Sequence, residues 1–335
     1  MMNYIGSKHK LLPFLSDVIR GVVGEDLSQM VFCDLFAGTG AVGRNFKRSV
    51  KSVISNDLEY YSYILNRNYI GNHTEINDKE YYIDKLNSLA LVDDGFVYKN
   101  YCLGGGVERQ YFSDHNGMKI DTMRKQIEEW RGSIGDDLYY FLLCSLLESA
   151  DRLANTASVY GAYLKHLKQS AAKELILQPA TYDLNTNSHS VYQENANTLI
   201  DKVEGDILYL DPPYNARQYG ANYHLLNTIA EYKEFTPKGK TGLRKYERSK
   251  YCSRRSVLGE FDRLVRSAQF RYIFLSYNNE GLMSPDQVRS IMSKYGRYDV
   301  AEQTHQRFKA DKTENRNHTA SSTTEYVHIL EKRLP

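Results

Sequence analysis

Short apolar runs closed by polar or glycine-rich turns mark out the two ends of this chain, and longer apolar stripes of helical period fill its middle. Val31 to Phe36, Ser52 to Asn56, Ile207 to Leu210, Tyr272 to Asn278 and Glu325 to Leu330 have the length and β-rich composition of strands. The first leads into Ala37-Gly38-Thr39-Gly40-Ala41-Val42-Gly43, after which Arg44 to Lys47 can open a helix, so the pattern is strand, glycine turn, helix. From Asn77 to Pro179 that rhythm breaks. Ile120, Met123, Ile127 and Trp130 recur at helical spacing, and Leu138 to Leu153 forms a second apolar helix, both stripes being read as core. The pattern predicts an α/β fold in which residues 1–76 and 191–335 form one domain and residues 77–190 are an inserted, mainly helical one.

A chain of 335 residues with 41% hydrophobic content can fill a sizeable core. No apolar run approaches a membrane span, and the N-terminus lacks the apolar stretch of a secretion signal, so a cytoplasmic location is expected. Cys33, Cys102, Cys144 and Cys252 are scattered without a close pair, which predicts reduced thiols and no metal site. The net charge of +2 says little, but between Lys233 and Arg255 nine basic residues stand against two acidic ones, with Tyr232, Phe235, Tyr246 and Tyr251 interleaved. A basic, aromatic loop over 231–258 is suited to tracking phosphates. Lys165, His166, Lys168 and Lys173 form a second basic run, read as a solvated helix face, and Arg307, Lys309, Lys312, Arg316 and His318 a third, suited to gripping phosphate.

Two constellations carry chemistry. Asp211-Pro212-Pro213-Tyr214 follows the apolar strand Ile207 to Leu210. The prolines remove two backbone donors, so the Asp211 carboxylate and the Pro212 carbonyl can accept both hydrogens of an exocyclic amine while Tyr214 offers a face for stacking. In the second, Gly38, Gly40 and Gly43 permit a tight turn and close ligand approach, and Asp57 ends the next strand where its carboxylate can accept the hydroxyls of a ribose. Read literally, this is also a dinucleotide fingerprint, which keeps a nicotinamide- or flavin-dependent oxidoreductase open. Asp34 argues against it, because a carboxylate there suits an ammonium and repels a pyrophosphate.

With both constellations placed, the chain resembles the Dam-like (D12 class, alpha group) adenine-N6 DNA methyltransferases over nearly its whole length, and within them the CATG-modifying enzymes of bacterial type II restriction systems. Tyr4-Ile5-Gly6-Ser7-Lys8 resembles the family's N-terminal cofactor motif, Asp34 to Gly40 its glycine loop, Ser55-Asn56-Asp57 its ribose-binding strand end and Asp211 to Tyr214 its catalytic motif. The CATG subgroup is suggested by residues 155–162 and 215–227. The resemblance implies a Rossmann-like class I methyltransferase with a mixed, mostly parallel sheet and a target-recognition insertion. It implies S-adenosyl-L-methionine as cofactor, held by Tyr4, Lys8, Asp34, Phe36, Gly38, Gly40, Asp57 and Asn195, the last where many relatives carry an acidic residue. Catalysis falls to Asp211, Pro212, Pro213 and Tyr214, and contact with duplex DNA to Arg109, Tyr111, Arg217, Lys245, Arg248 and Lys250. A cognate endonuclease sharing the site, and a monomer or weak dimer, complete these expectations. Related acceptors, namely cytosine N4, RNA or a protein glutamine, remain alternatives, as does a non-catalytic DNA-binding protein.

Overall fold

The computed structural model describes residues 8–306 and 322–333. Along the chain the strands are β1 (Val31–Asp34), β2 (Ser52–Asn56), β3 (Ser190–Tyr192), β4 (Glu204–Leu210), β5 (Gln269–Asn278), β6 (Gly296–Gln306) and β7 (Ser322–Lys332). They form one sheet in the order β3-β2-β1-β4-β5-β7-β6. The pairs from β3 through β5 are parallel, whereas β7 inserts antiparallel between β5 and β6. The sheet is therefore mixed and mostly parallel, as expected. Three strands run longer than the apolar pattern indicated, and β3 and β6 carry no apolar run at all: β3 has three residues, and β6 is an edge strand rich in polar side chains.

Both faces of the sheet are covered, which is why its central strands read as nearly continuous apolar runs. On one face Phe32, Ile207 and Tyr209 pack with the N-terminal helix Leu12–Val23 and with the helices Tyr60–Asn66, Asp114–Trp130 and Asp136–Leu153. On the other, Cys33, Leu208 and Leu210 meet the helices Val257–Ser267 and Pro285–Met292. The alternation of these side chains is the period-2 signature of a strand buried on both sides.

Residues 79–153 contain four helices, and the chain from 154 to 189 runs on as turns and extended segments. Ile120, Met123 and Ile127, with most of the apolar residues from Leu138 to Leu147, are buried in the same continuous core as Phe32 and Tyr209. These helices thus share the core of the sheet. Lys47 is fully buried beneath them, its ammonium donating to the carbonyls of Tyr69, Asn72 and Asp183, which fixes the returning chain against the sheet. The four cysteines are free and buried, and no helix among the described residues is long and apolar enough to cross a membrane.

Candidate active site

The sheet order reverses direction beside β1: the chain moves outward to β2 and β3, then returns to lay β4 on the other side of β1. A crevice forms where the carboxyl ends of two such strands diverge. Here it is a cleft of about 1020 Å³, lined among others by Lys8, Asp34, Phe36, Gly38, Asp57, Asn195, Asp211 and Pro213. Eight of the expected cofactor and catalytic residues, from five separate stretches of sequence, thus line one cleft. Tyr4 lies outside the described residues, as do Arg307, Lys309, Lys312, Arg316 and His318.

The glycine turn is held by Asp57. One of its carboxylate oxygens accepts the Gly38 N–H at 2.8 Å and the other the Glu59 N–H at 2.9 Å. The Gly38 carbonyl accepts from Ser62 and, at 3.1 Å, from Asn66, whose own amide oxygen takes the Ser55 hydroxyl. Gly40 does not line the cleft. Its φ of 77° starts the helix Ala41–Phe46, and a Cβ there would lie 2.6 Å from the Asn66 amide oxygen, so this glycine serves backbone geometry.

Asp34 is buried at the end of β1. One oxygen accepts the Gly43 N–H at 3.0 Å and the other has no partner among the described residues. Burial pushes its carboxyl up to about 8, against the pull of the Gly43 N–H, with Asp211 and Asp57 adding to the rise. At the end of β4, Asp211 stands 3.1 Å from the buried Lys8 ammonium. Burial raises the Asp211 carboxyl to about 6, and Lys8 opposes the rise. Burial would lower the Lys8 ammonium, but Asp211 and Glu325 outweigh that and hold it above its ordinary value. Glu325, on β7 opposite Asn278, is a carboxylate of this centre that its position in an ordinary strand pattern did not reveal. Pro212 is buried. Tyr214 is half-buried, its carbonyl accepts the Leu282 N–H, and its ring packs beside the second core cluster.

Further residues of the cleft carry no motif. Glu59 lies between Asp57 and the segment after the catalytic motif; burial and then the Asp57 charge push its carboxyl up to about 7, opposed by the Asn227 amide at 2.5 Å. Gln218 exchanges two hydrogen bonds with the backbone of Ser249, which ties the end of the basic loop to the catalytic segment. Asn56 binds the Leu35 carbonyl and the backbone of Glu194, drawing the 194–196 turn onto the strand ends. The ring of Tyr251 meets Phe36 edge-on, and its hydroxyl donates to Asn197.

One expected contact is corrected, and three further residues have partners within the protein. Tyr111 is fully buried and donates to the Tyr160 carbonyl, so it cannot reach DNA. Arg109 spends its guanidinium on the carbonyls of Asn100, Gly239 and Lys240, holding the basic loop in place. Lys250 pairs with Glu260 at 2.8 Å on the wall of the cleft. Asn195 turns its amide oxygen to the Asn197 N–H as a helix cap, leaving one lone pair for any ligand. Arg217, Lys245 and Arg248 are exposed as a DNA contact requires, whereas Arg244 points inward to Glu231. In the second basic run Lys165, His166 and Lys173 are exposed and Lys168 donates to the Thr156 carbonyl.

A glycine turn and an Asp-Pro-Pro-Tyr strand end meeting in one crevice, on a sheet with an antiparallel strand between its last two, define a Rossmann-like class I methyltransferase. The chain belongs to the D12 class of N6 adenine-specific DNA methyltransferases, whose sequence profile matches residues 4–291. It is 62% identical over 333 residues to the Type II methyltransferase M.NlaIII of Neisseria lactamica, covering 99% of each chain. To the Type II methyltransferase M.CviAII of Paramecium bursaria Chlorella virus 1 it is 37% identical, covering 92% of this chain and 93% of that one. The Type II methyltransferase M.FokI of Planomicrobium okeanokoites is 38% identical, and this chain spans only 53% of that larger protein.

Gly40→Ala is expected to destabilise the protein by about 1–3 kcal/mol, through the strained backbone and the collision with Asn66, read as a lower midpoint in chemical denaturation. Asp34→Asn is expected to do the reverse in a pH-dependent way. Because the folded-state pKa of Asp34 is raised to about 8 from 3.8, the wild type loses stability relative to the variant as pH climbs through that interval. Denaturation series at pH 5 and pH 8 check this, the stability gap widening at the higher pH.

Proposed function

We propose that this enzyme transfers the methyl group of S-adenosylmethionine to N6 of an adenine flipped out of duplex DNA, within CATG, as the cytoplasmic modification enzyme of a type II restriction system. One observation carries the cofactor reading: among the described residues six carboxylates, those of Asp34, Asp57, Glu59, Glu194, Asp211 and Glu260, line the cleft against two lysines, Lys8 and Lys250. Such a wall favours a ligand bearing an ammonium and a sulfonium, and it repels the pyrophosphate of a nicotinamide dinucleotide. The unpaired Asp34 oxygen fits the same ligand, as a buried acceptor lacking a donor.

When bound, the cofactor supplies an electrophilic methyl group. The rest is the work of this chain. A base inside a stacked duplex cannot enter the cleft, so it must be extruded at a cost of a few kcal/mol. Asp211 and the Pro212 carbonyl accept the two N–H groups of the adenine amine and orient its lone pair. Lys8, 3.1 Å from Asp211, favours the anionic carboxylate that accepting requires. Proton abstraction from the neutral amine is not asked of Asp211, whose pKa is far too low; the proton leaves once the nitrogen is cationic. Tyr214 supplies the stacking face, worth on the order of 1–3 kcal/mol. Residues 77–190 serve target recognition, and Arg217, Lys245 and Arg248 grip phosphates.

The two segments that suggest CATG pack against each other, the Tyr160 N–H donating to the Asn222 carbonyl and the Tyr160 carbonyl meeting the His224 ring. Transfer of labelled methyl into duplexes with and without CATG, followed by nucleoside analysis, tests the whole proposal. N6-methyladenine confined to the CATG duplex is expected; label in both duplexes would discard the site, and N4-methylcytosine the target atom. Asp211→Ala is expected to lower transfer by at least about 100-fold while cofactor binding persists. Replacing Arg217, Lys245 and Arg248 by alanine is expected to weaken binding to all duplexes and to reduce the salt slope of log K by about 2–3. An unchanged slope removes these side chains from the interface.

A further inference from the structure

A second buried oxygen in the cleft lacks a partner among the described residues: the phenolic oxygen of Tyr209. Tyr209 is 1% exposed, and its ring stacks on Phe32 at 6.5 Å, which fixes where the hydroxyl points. The sheet register sets Tyr209 on β4 directly beside Asp34 on β1. Register partners on neighbouring parallel strands project to the same face, one strand spacing of roughly 4.8 Å apart. The two residues with unpaired oxygens therefore project from adjacent strands on one face, with Asp211 two residues beyond Tyr209 on that face, and both line the cleft. The Ser276 hydroxyl approaches the Tyr209 oxygen from β5 without making a hydrogen bond.

The surroundings select the ligand. Burial and the neighbouring charges of Asp211, Asp34 and Glu325 keep the phenol protonated, since each disfavours a phenolate. A neutral hydroxyl in a field of carboxylates is a poor place for an anion and a good acceptor for a cationic N–H. The hydroxyl oxygen keeps the lone pairs that accepting such an N–H requires.

We infer that Tyr209 is a further cofactor-binding residue, whose hydroxyl oxygen and the free oxygen of Asp34 together accept two N–H groups of the cofactor's α-ammonium. This rests on the S-adenosylmethionine reading above. It makes the pair a selectivity element for methyl donors with a free amino group, distinct from the contacts to the adenosine half.

The test is titration calorimetry of the wild type and Tyr209→Phe with three ligands: S-adenosylmethionine, its decarboxylated form, which keeps the ammonium, and 5′-methylthioadenosine, which lacks the amino-acid portion. The expected result is a loss of affinity of about tenfold or more for the first two and none for the third, as deletion of one hydrogen bond to a charged group predicts. Loss confined to S-adenosylmethionine would overturn the inference in favour of a carboxylate contact. Equal loss for all three, or none for any, would overturn it in favour of a packing role. A wild type that binds none of them refutes the cofactor reading itself, which is a different outcome from an unaffected Tyr209→Phe.

Discussion

The pairing of β1 with β4 is the constraint on which the rest of the site depends. Its register aligns Asp34 with Tyr209, and two residues later the chain delivers Asp211. Parallel neighbours end at the same edge of the sheet, so residues 177 positions apart in sequence arrive within one crevice. No loop needs to be ordered to bring them there. Lys8, on the short helical turn Lys8–Leu11, completes the centre by pairing with Asp211.

That arrangement costs free energy, and the structure shows where the cost is offset. Buried carboxylates are unfavourable unless paired or hydrogen-bonded. Among the described residues Asp57 receives two backbone donors, Asp211 a lysine and Glu59 an amide, while Asp34 receives one donor for its two oxygens. The residual imbalance falls at the place where a cationic ligand is proposed to sit, the usual relation between stored strain and function. Asn56, Ser62 and Asn66 serve the same centre indirectly, since they hold the glycine turn to which Asp57 is bound.

The protein also keeps two opposite fields apart. The cleft wall is acidic, whereas the loop after Tyr232 is basic. Arg244 turns inward to Glu231, Arg109 and Tyr101 bind the carbonyls of the loop's glycine turns, and Gln218 clasps its end at Ser249. What remains outward, including Lys245 and Arg248, forms the exposed basic face. A single loop thus contributes both the outer basic surface and, through Ser249 to Tyr251, part of the cofactor wall.

The sequence by itself determined the class of fold, the glycine turn and the catalytic strand end, because each is local: an apolar run, a glycine that permits positive φ, a pair of prolines. It also contained the family likeness, which rests on the same contiguous stretches. It left β3 and β6 unread, since a three-residue strand and a polar edge strand carry no periodic apolar signal. Only the tertiary structure decided which members of the polar sets are free. The family likeness implies Arg109 and Tyr111 as DNA contacts, yet one is tied to carbonyls of the basic loop and the other is buried. Tyr209 looks like one more apolar strand residue, yet its hydroxyl has no hydrogen-bond partner among the described residues and its side chain lines the cleft. Burial and hydrogen-bond partners are properties of contacts between distant segments, and composition and spacing do not encode them one residue at a time.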